Sequence, residues 1–323
     1  MSEPTTDPAL AEALSETVSN APAVPKVPQL DPNDPLTSLR QRVIETLQAM
    51  PSYFKFDTTI EGVDATDLQA ANTLLGASIE VQVVATLNRL RELWDPNQEW
   101  QGYRFERQSQ TFPDVRLIQR IGTQTDIALG VELKGWYLFS KEGVPTFRFS
   151  NTPHSCADHD LLCVVPWHFS NVTSGTPVAR DPWVVPAKWA AEYRNYWWMY
   201  IRRAKNGMVG ITSPPNACPY PTKDQQISDV PDSDGGNNFG RLARVKGLMD
   251  TFIDEARSQD ALGIPIRDWV AFFARHSDSS DADAVHAAIA EELSVHRARI
   301  SREKAERVAS LIQEIRDLLD SEE

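Results

Sequence analysis

The stretch Phe112–Trp136, FPDVRLIQRIGTQTDIALGVELKGW, reads as two strands joined by a turn. Side chains alternate across a strand. In the first half Val115, Leu117 and Ile121 share one face, and Asp114, Arg116 and Arg120 share the other. In the second half Ile127, Leu129, Val131 and Leu133 oppose Asp126, Ala128, Gly130, Glu132 and Lys134. Gly122-Thr123-Gln124 interrupts the pattern and marks a short hairpin loop. A hairpin centred on Thr123 sets 114 opposite 132, 116 opposite 130 and 118 opposite 128. Opposed residues point to the same side. One face therefore stacks Val115 on Val131 and Leu117 on Leu129, and is core. The other brings Asp114 beside Glu132, with Lys134 one step on. Gly130 and Ala128 are small and leave room on that face. Asp126 lies at the loop end, outside the cluster.

Two adjacent carboxylates repel one another and hold their protons unless something positive joins them. A divalent cation meets that need. Mg²⁺ is commonly held by one or two carboxylates together with water and substrate phosphate, and it polarises phosphoryl oxygens and activates water. A lysine at the same place can orient the attacking water or offset charge on the phosphate. The plain alternative is a solvated strand face, because Glu and Lys two apart are common there and Pro-Asp is a common turn dipeptide. The conjunction is more specific than its parts: Pro-Asp opens one apolar strand, and Glu-Leu-Lys closes the next at the matching register.

FPDVRLI and GVELKGW resemble the PD-(D/E)xK nuclease superfamily, whose best-known members are type II restriction endonucleases. The resemblance covers roughly Leu74 to Trp167. It implies a mixed sheet flanked by helices, metal ligation by Asp114 and Glu132, and a catalytic Lys134. Many members carry a further glutamate on the helix before the sheet, and Glu80 in LLGASIEVQVVATLN looks like that residue. The implied cofactor is Mg²⁺ and the implied substrate is double-stranded DNA. A palindromic target would call for a symmetric homodimer.

Working outward, residues 1–34 are rich in Pro, Ala, Ser, Thr and acids and read as a disordered tail. LTSLRQRVIETLQAM (36–50) reads as a helix stopped by Pro51. A second helix begins near Asp64 or Asp67 and runs through 74–94, with Ile79, Val83, Leu87 and Leu90 on one face. Strands are expected in YRFERQ, in both arms of the hairpin, in VPTFRFS and in DLLCVVPW. AAEYRNYWWMYIRRA (190–204) reads as a basic and aromatic helix, followed by a Pro/Gly/Asp-rich loop over 213–238. FGRLARVKGLMDTFIDEAR, IRDWVAFFAR and the last 40 or so residues read as helices, with Val308, Leu311, Ile315 and Leu318 at helical spacing. The expected plan is an α/β nuclease-like core over 35–212 and a loop and helical C-terminal region over 213–323. The C-terminal helices are candidates for a dimer interface.

The chain has 323 residues and a formal charge of −13, which taken alone argues against a nucleic-acid partner. Between Gln101 and Asn206, however, 13 Lys and Arg face 9 Asp and Glu. The middle of the chain can therefore tolerate a polyanion. Three cysteines fit a reducing cytoplasm better than a disulfide framework. No apolar run approaches the ~20 residues that span a bilayer.

Other elements offer weaker chemistry. His154, Cys156, His159 and Cys163 are zinc-ligand types, but their spacing fits no zinc motif. His168 can face a cleft or cap its strand. Arg202, Arg203 and Lys205 end the aromatic helix and can contact phosphate, although a core helix with solvated charges is the simpler reading. Arg241, Arg244 and Lys246 are expected in the first turns of a helix, a place that attracts phosphate. DSDGGNN echoes a calcium loop without its closing Glu. The alternative to an endonuclease of restriction or phage-defence type is a non-catalytic nucleic-acid-binding or assembly protein on the same core. A repair or RNA-directed nuclease would carry the same site.

Overall fold

The computed structural model describes residues 22–54, 59, 68–140, 142–202, 209–276 and 281–320. Residues 22–34, expected as the end of the tail, run without regular secondary structure until the first helix. Trp189 donates its indole N–H to the Pro25 carbonyl at 3.0 Å, which fastens this segment to the body. The rest of the expected tail lies outside the described residues.

Helix α1 (Pro35–Ala49) starts where its sequence says it should. Pro35 takes the first helical position, and the Asp34 carboxylate accepts the Leu36 N–H at 2.9 Å. Its buried side chains Leu39, Val43 and Leu47 follow helical spacing, and Pro51 falls in the 3₁₀ turn that follows. Helix α2 (Leu68–Arg89) buries Ile79, Val83 and Leu87. A short helix α3 (Arg91–Trp94) tucks the Trp94 ring back under α2, where its N–H reaches the Leu87 carbonyl. Asn88 ties α2 to the sheet by pairing both its amide nitrogen and oxygen with the backbone of Phe105.

The central sheet is mixed and has six strands. Strands β1 (Arg104–Arg107), β2 (Val115–Ile121) and β3 (Gln124–Tyr137) form an antiparallel meander. Strand β4 (Leu161–Asn171) lies parallel to β3. Strands β5 (Ser174–Ala179) and β6 (Trp183–Pro186) both pair antiparallel with β4, one at each end of it. These two strands were not expected from the sequence. Each is short and holds a proline, which weakens the strand signal but is tolerated on an edge. Pro166 of β4 sits between the stretches paired by β5 and β6, and Arg180 closes that gap by donating its backbone N–H to the Pro166 carbonyl.

The hairpin register is as expected near the site and differs near the turn. Val115 opposes Val131, Arg116 opposes Gly130 and Leu117 opposes Leu129. Between Leu117 and Ile118 the register shifts, so Ile118 opposes Ile127 instead of 128 and Ala128 is the extra residue of a bulge. The turn then has only Gly122 and Thr123 between paired Ile121 and Gln124, with Gly122 at φ +62°. Ile127 consequently shares the face of Ile118, not that of Leu129. The expected room over Gly130 is filled: a Cβ there would lie 2.1 Å from Pro113 Cγ and 3.0 Å from Asp160 Oδ1.

Two further expectations need correction. VPTFRFS (144–150) alternates like a strand but joins no ladder, because its backbone groups go singly to the 227–240 loop. Phe149 donates to Gly240, and Ser150 accepts from Asp229. The helix expected from Phe239 onward starts only at Asp250. Residues 242–244 form a 3₁₀ turn, Gly247 adopts φ +86°, and its N–H is taken by the Asp250 carboxylate at 2.6 Å.

Helix α4 (Ala187–Tyr196) passes into a π turn over Trp197–Ile201, closed by the Arg202 N–H on the Trp197 carbonyl. The loop over 213–229 is closed at its base by the two-residue ladder of β7 (Ile211–Thr212) and β8 (Val230–Pro231). Helix α5 (Asp250–Ser258) connects through the ladder of β9 (Asp260–Ala261) and β10 (Ile264–Pro265) to helix α6 (Ile266–His276). Trp269 and Phe273 of α6 pack on Phe139 beyond β3, so one apolar core runs from Leu39 to Ile289. Helix α7 spans Ala282–Asp320. The side chains of Val308, Leu311, Ile315 and Leu318, on which a dimer face was expected, lie outside the described residues. Among the described residues no helix is long and apolar enough to cross a membrane.

Candidate active site

Where β2 and β3 leave their ladder, the side chains of Asp114, Glu132 and Lys134 meet. Pro113 has no N–H to extend the ladder, and it joins Phe112 through a cis peptide bond. The Asp114 carboxylate accepts the Leu133 backbone N–H at 2.8 Å. The Asp114 N–H in turn points at Glu132 Oε2, 3.3 Å away. Lys134 Nζ donates to Glu132 Oε1 at 2.6 Å and lies 3.9 Å from Asp114 Oδ2. The three residues expected to converge therefore do so at one end of the hairpin.

The electrostatics follow from this crowding. Burial raises the proton affinity of Asp114, and the neighbouring Glu132 charge raises it further. Together they outweigh Lys134 and the Leu133 N–H and push the carboxyl up to about 7. Burial alone would weaken the Lys134 ammonium, but the charges of Glu132 and Asp114 more than offset it, so its pKa is raised. Lys134 is thus a cation held among acids, suited to donating hydrogen bonds and not to accepting a proton. At pH above 7 the cluster holds two carboxylates against one ammonium, a partly buried excess of negative charge that favours a further cation.

Glu80 is placed differently. It lies on α2 with Oε2 2.6 Å from Arg107 Nε, and it acts on Lys134 only through longer-range attraction. Among the described residues no group of three or more His, Cys, Asp and Glu is placed to hold a metal ion. The carboxylates that meet at the site are those of Asp114 and Glu132.

A cleft of ≈ 330 Å³ opens beside these two acids. A second wall includes Pro221, Thr222, Lys223 and Gln225, and Asn151 lines the cleft as well. That wall and its supports gave no signal in the sequence. Asp160 is fully buried, and one oxygen accepts both the Gly130 N–H at 2.7 Å and the Tyr220 hydroxyl at 3.0 Å, while the other accepts the Ala157 N–H. Burial pushes Asp160 up to about 6 against these hydrogen bonds. Arg116, the cross-strand partner of Gly130, donates to the Phe112 carbonyl at 2.6 Å and lies 5.3 Å over the Tyr220 ring.

The other basic candidates sit elsewhere. Arg241 and Arg244 both approach Glu142, at 3.5 and 3.6 Å, and Arg244 also donates to the Asn238 side chain. Because the helix starts only at Asp250, neither they nor Lys246 stand at a helix N-terminus. Arg202 lies 3.7 Å over the Trp198 ring, and Arg203 and Lys205 lie outside the described residues. Arg194, expected as a solvated charge, is fully buried and pairs with Asp229 at 2.6 Å. In DSDGGNN the Asp234 carboxylate caps the Phe239 N–H. Cys156 and Cys163 are buried free thiols that serve packing, and His159 Nε2 lies 3.4 Å from Asp34 while burial lowers its proton affinity. His168 is buried too; its Nε2 accepts from Arg180 and its Nδ1 faces the Phe169 carbonyl, so it caps its own strand.

The chain matches no protein-family model, no curated protein and no solved structure.

Proposed function

We propose that this protein is a Mg²⁺-dependent endonuclease that hydrolyses phosphodiester bonds of double-stranded DNA, of restriction or phage-defence type, built on a restriction-endonuclease-like core. The observation that carries the reading is the meeting of Asp114, Glu132 and Lys134 at the open end of the hairpin, with Lys134 Nζ within 4 Å of both acids. The donor set fits a hard divalent cation: two carboxylates, one of them held by burial and its neighbour at about 7. Bound there, Mg²⁺ would supply Lewis-acid polarisation of a phosphoryl oxygen and an activated water. Asp114 and Glu132 would hold it. Lys134, kept protonated by the same acids, would orient the attacking water and offset charge on the phosphate. Glu80 would join only by leaving Arg107. A homodimer remains the expected form for a two-stranded target.

The second reading is a non-catalytic nucleic-acid-binding or assembly protein. It draws on the short Lys134–Glu132 contact, 2.6 Å, which partly balances the site with no metal. One experiment separates the two. Supercoiled plasmid is incubated with the full chain and Mg²⁺, and again with Asp114→Ala. Nicking or linearisation by the wild type and none by the variant supports the enzyme. Equal cleavage by both, or none by either across varied DNA, sinks it.

A further inference from the structure

The cleft beside the acids has a second wall whose construction points to a ligand. Tyr220–Gln225 comes from the loop over 213–229, yet it is fastened to the site strands at two points. The Tyr220 hydroxyl shares Asp160 Oδ1 with the backbone of Gly130, two residues before Glu132. The Arg116 guanidinium, two residues after Asp114, lies over the Tyr220 ring and 3.5 Å from the Pro221 carbonyl. Arg116 and Gly130 are themselves cross-strand partners. Wall and floor are thus held to the same rung of the hairpin. Tyr220 adopts φ +55°, an uncommon conformation for a non-glycine residue.

Beyond Tyr220 the wall turns back on itself. The Thr222 N–H donates to Gln225 Oε1 at 2.9 Å, and the Gln225 N–H donates to the Thr222 carbonyl at 3.1 Å. This tight turn puts Lys223 at its tip, exposed and lining the cleft. Asp224, its neighbour in the chain, does not line it. Lys223 makes no ion pair among the described residues. By contrast, Arg104, Arg107 and Arg120 around the hairpin are each paired with Glu80 or Glu106, and Lys134 is engaged by Glu132. The cleft lining therefore sets two carboxylates, Asp114 and Glu132, against a single uncommitted cation.

We propose that Lys223 binds a DNA backbone phosphate next to the one presented to Asp114 and Glu132, and that Tyr220, held by Asp160 and Arg116, positions it. The identity of the polymer rests on the nuclease reading above. A polyanion approaching two carboxylates needs a positive group in the same cleft, and Lys223 is the uncommitted cation that lines it. Tyr220 is a positioning residue, because it touches the supports and not the ligand.

The test uses a fluorescein-labelled DNA duplex of mixed sequence, with Ca²⁺ in place of Mg²⁺, titrated with the full chain at a series of KCl concentrations. Lys223→Ala should weaken binding several-fold and reduce the slope of log affinity against log salt by about one, as loss of one phosphate contact does. Lys223→Arg should keep both affinity and slope. Tyr220→Phe should weaken binding with the slope unchanged, since the charge remains and only its placement is lost. Wild-type affinity and slope in Lys223→Ala, or no binding by the wild type, would overturn the proposal. Wild-type affinity in Tyr220→Phe would overturn its positioning half. Plasmid cleavage is scored separately: a wild type that binds but does not cleave ends the nuclease reading and leaves Lys223 to be judged by its slope.

Discussion

Asp114→Asn should make the metal-free protein more stable while removing its response to Mg²⁺. The Asp114 side chain is 22% exposed and lies beside Glu132. Its ordinary value of 3.8 is raised to about 7, first by burial and then by the Glu132 charge. The sign follows from linkage. An acid whose folded-state pKa is raised costs nothing while protonated in both states, below 3.8. The cost grows as pH climbs and is complete above about 7. A displacement from 3.8 to about 7 sets a ceiling of about 4 kcal/mol on that cost. Asparagine also gives up the anion that Leu133 N–H and Lys134 contact, so a net gain of about 1–3 kcal/mol at pH 8 is expected. Thermal unfolding followed by circular dichroism in EDTA should show the variant melting several degrees above wild type at pH 8, with the gap narrowing toward pH 4. Added Mg²⁺ should raise the wild-type midpoint and leave the variant where it was. A variant that melts below wild type at pH 8, or a gap that ignores pH, would refute the electrostatic argument.

Two more substitutions probe the supports. Asp229→Ala leaves the Arg194 guanidinium buried without its anion, and also strands Ser213 and Asn195, which donate to the same carboxylate at 2.6 and 2.7 Å. It should cost about 3–5 kcal/mol in chemical denaturation, and Arg194→Met in the same chain should recover part of that; a loss under about 1 kcal/mol would contradict the pairing. Gly130→Ala drives a methyl to 2.1 Å from Pro113 Cγ and 3.0 Å from Asp160 Oδ1. It should cost about 1–3 kcal/mol and abolish the Mg²⁺-dependent rise in melting temperature, because Pro113 carries Asp114; an unaltered response would show that the rung is softer than it looks.

The hairpin and its three charged residues were legible because they are local. Alternation fixed the faces of Val115, Leu117, Leu129 and Val131, and opposition then placed Asp114 beside Glu132. The bulge at Ala128 was not legible, since neither Ile127-Ala128-Leu129 nor its partners carry the glycine that often marks one. The centring on Thr123 held near the acids because the extra residue restores there what the tighter turn removes. β5 and β6 were hidden by Pro177 and Pro186, and VPTFRFS misled because alternation reports burial and not pairing. The second wall was beyond reach of the sequence. Asp160 meets Gly130 across 30 residues and Tyr220 across 60, and no local pattern encodes such meetings. The buried Arg194–Asp229 pair was missed for the same reason, and a basic aromatic helix concealed an arginine that faces inward.

The bulge at Ala128 adds one residue between the bend and the acid end of the hairpin. That residue offsets the two-residue turn, and the acid end is held by Pro113 and Asp160 closing on Gly130 rather than by the bend at Gly122-Thr123. That makes the bend, with its exposed flanks, a natural attachment point for a reporter or affinity handle.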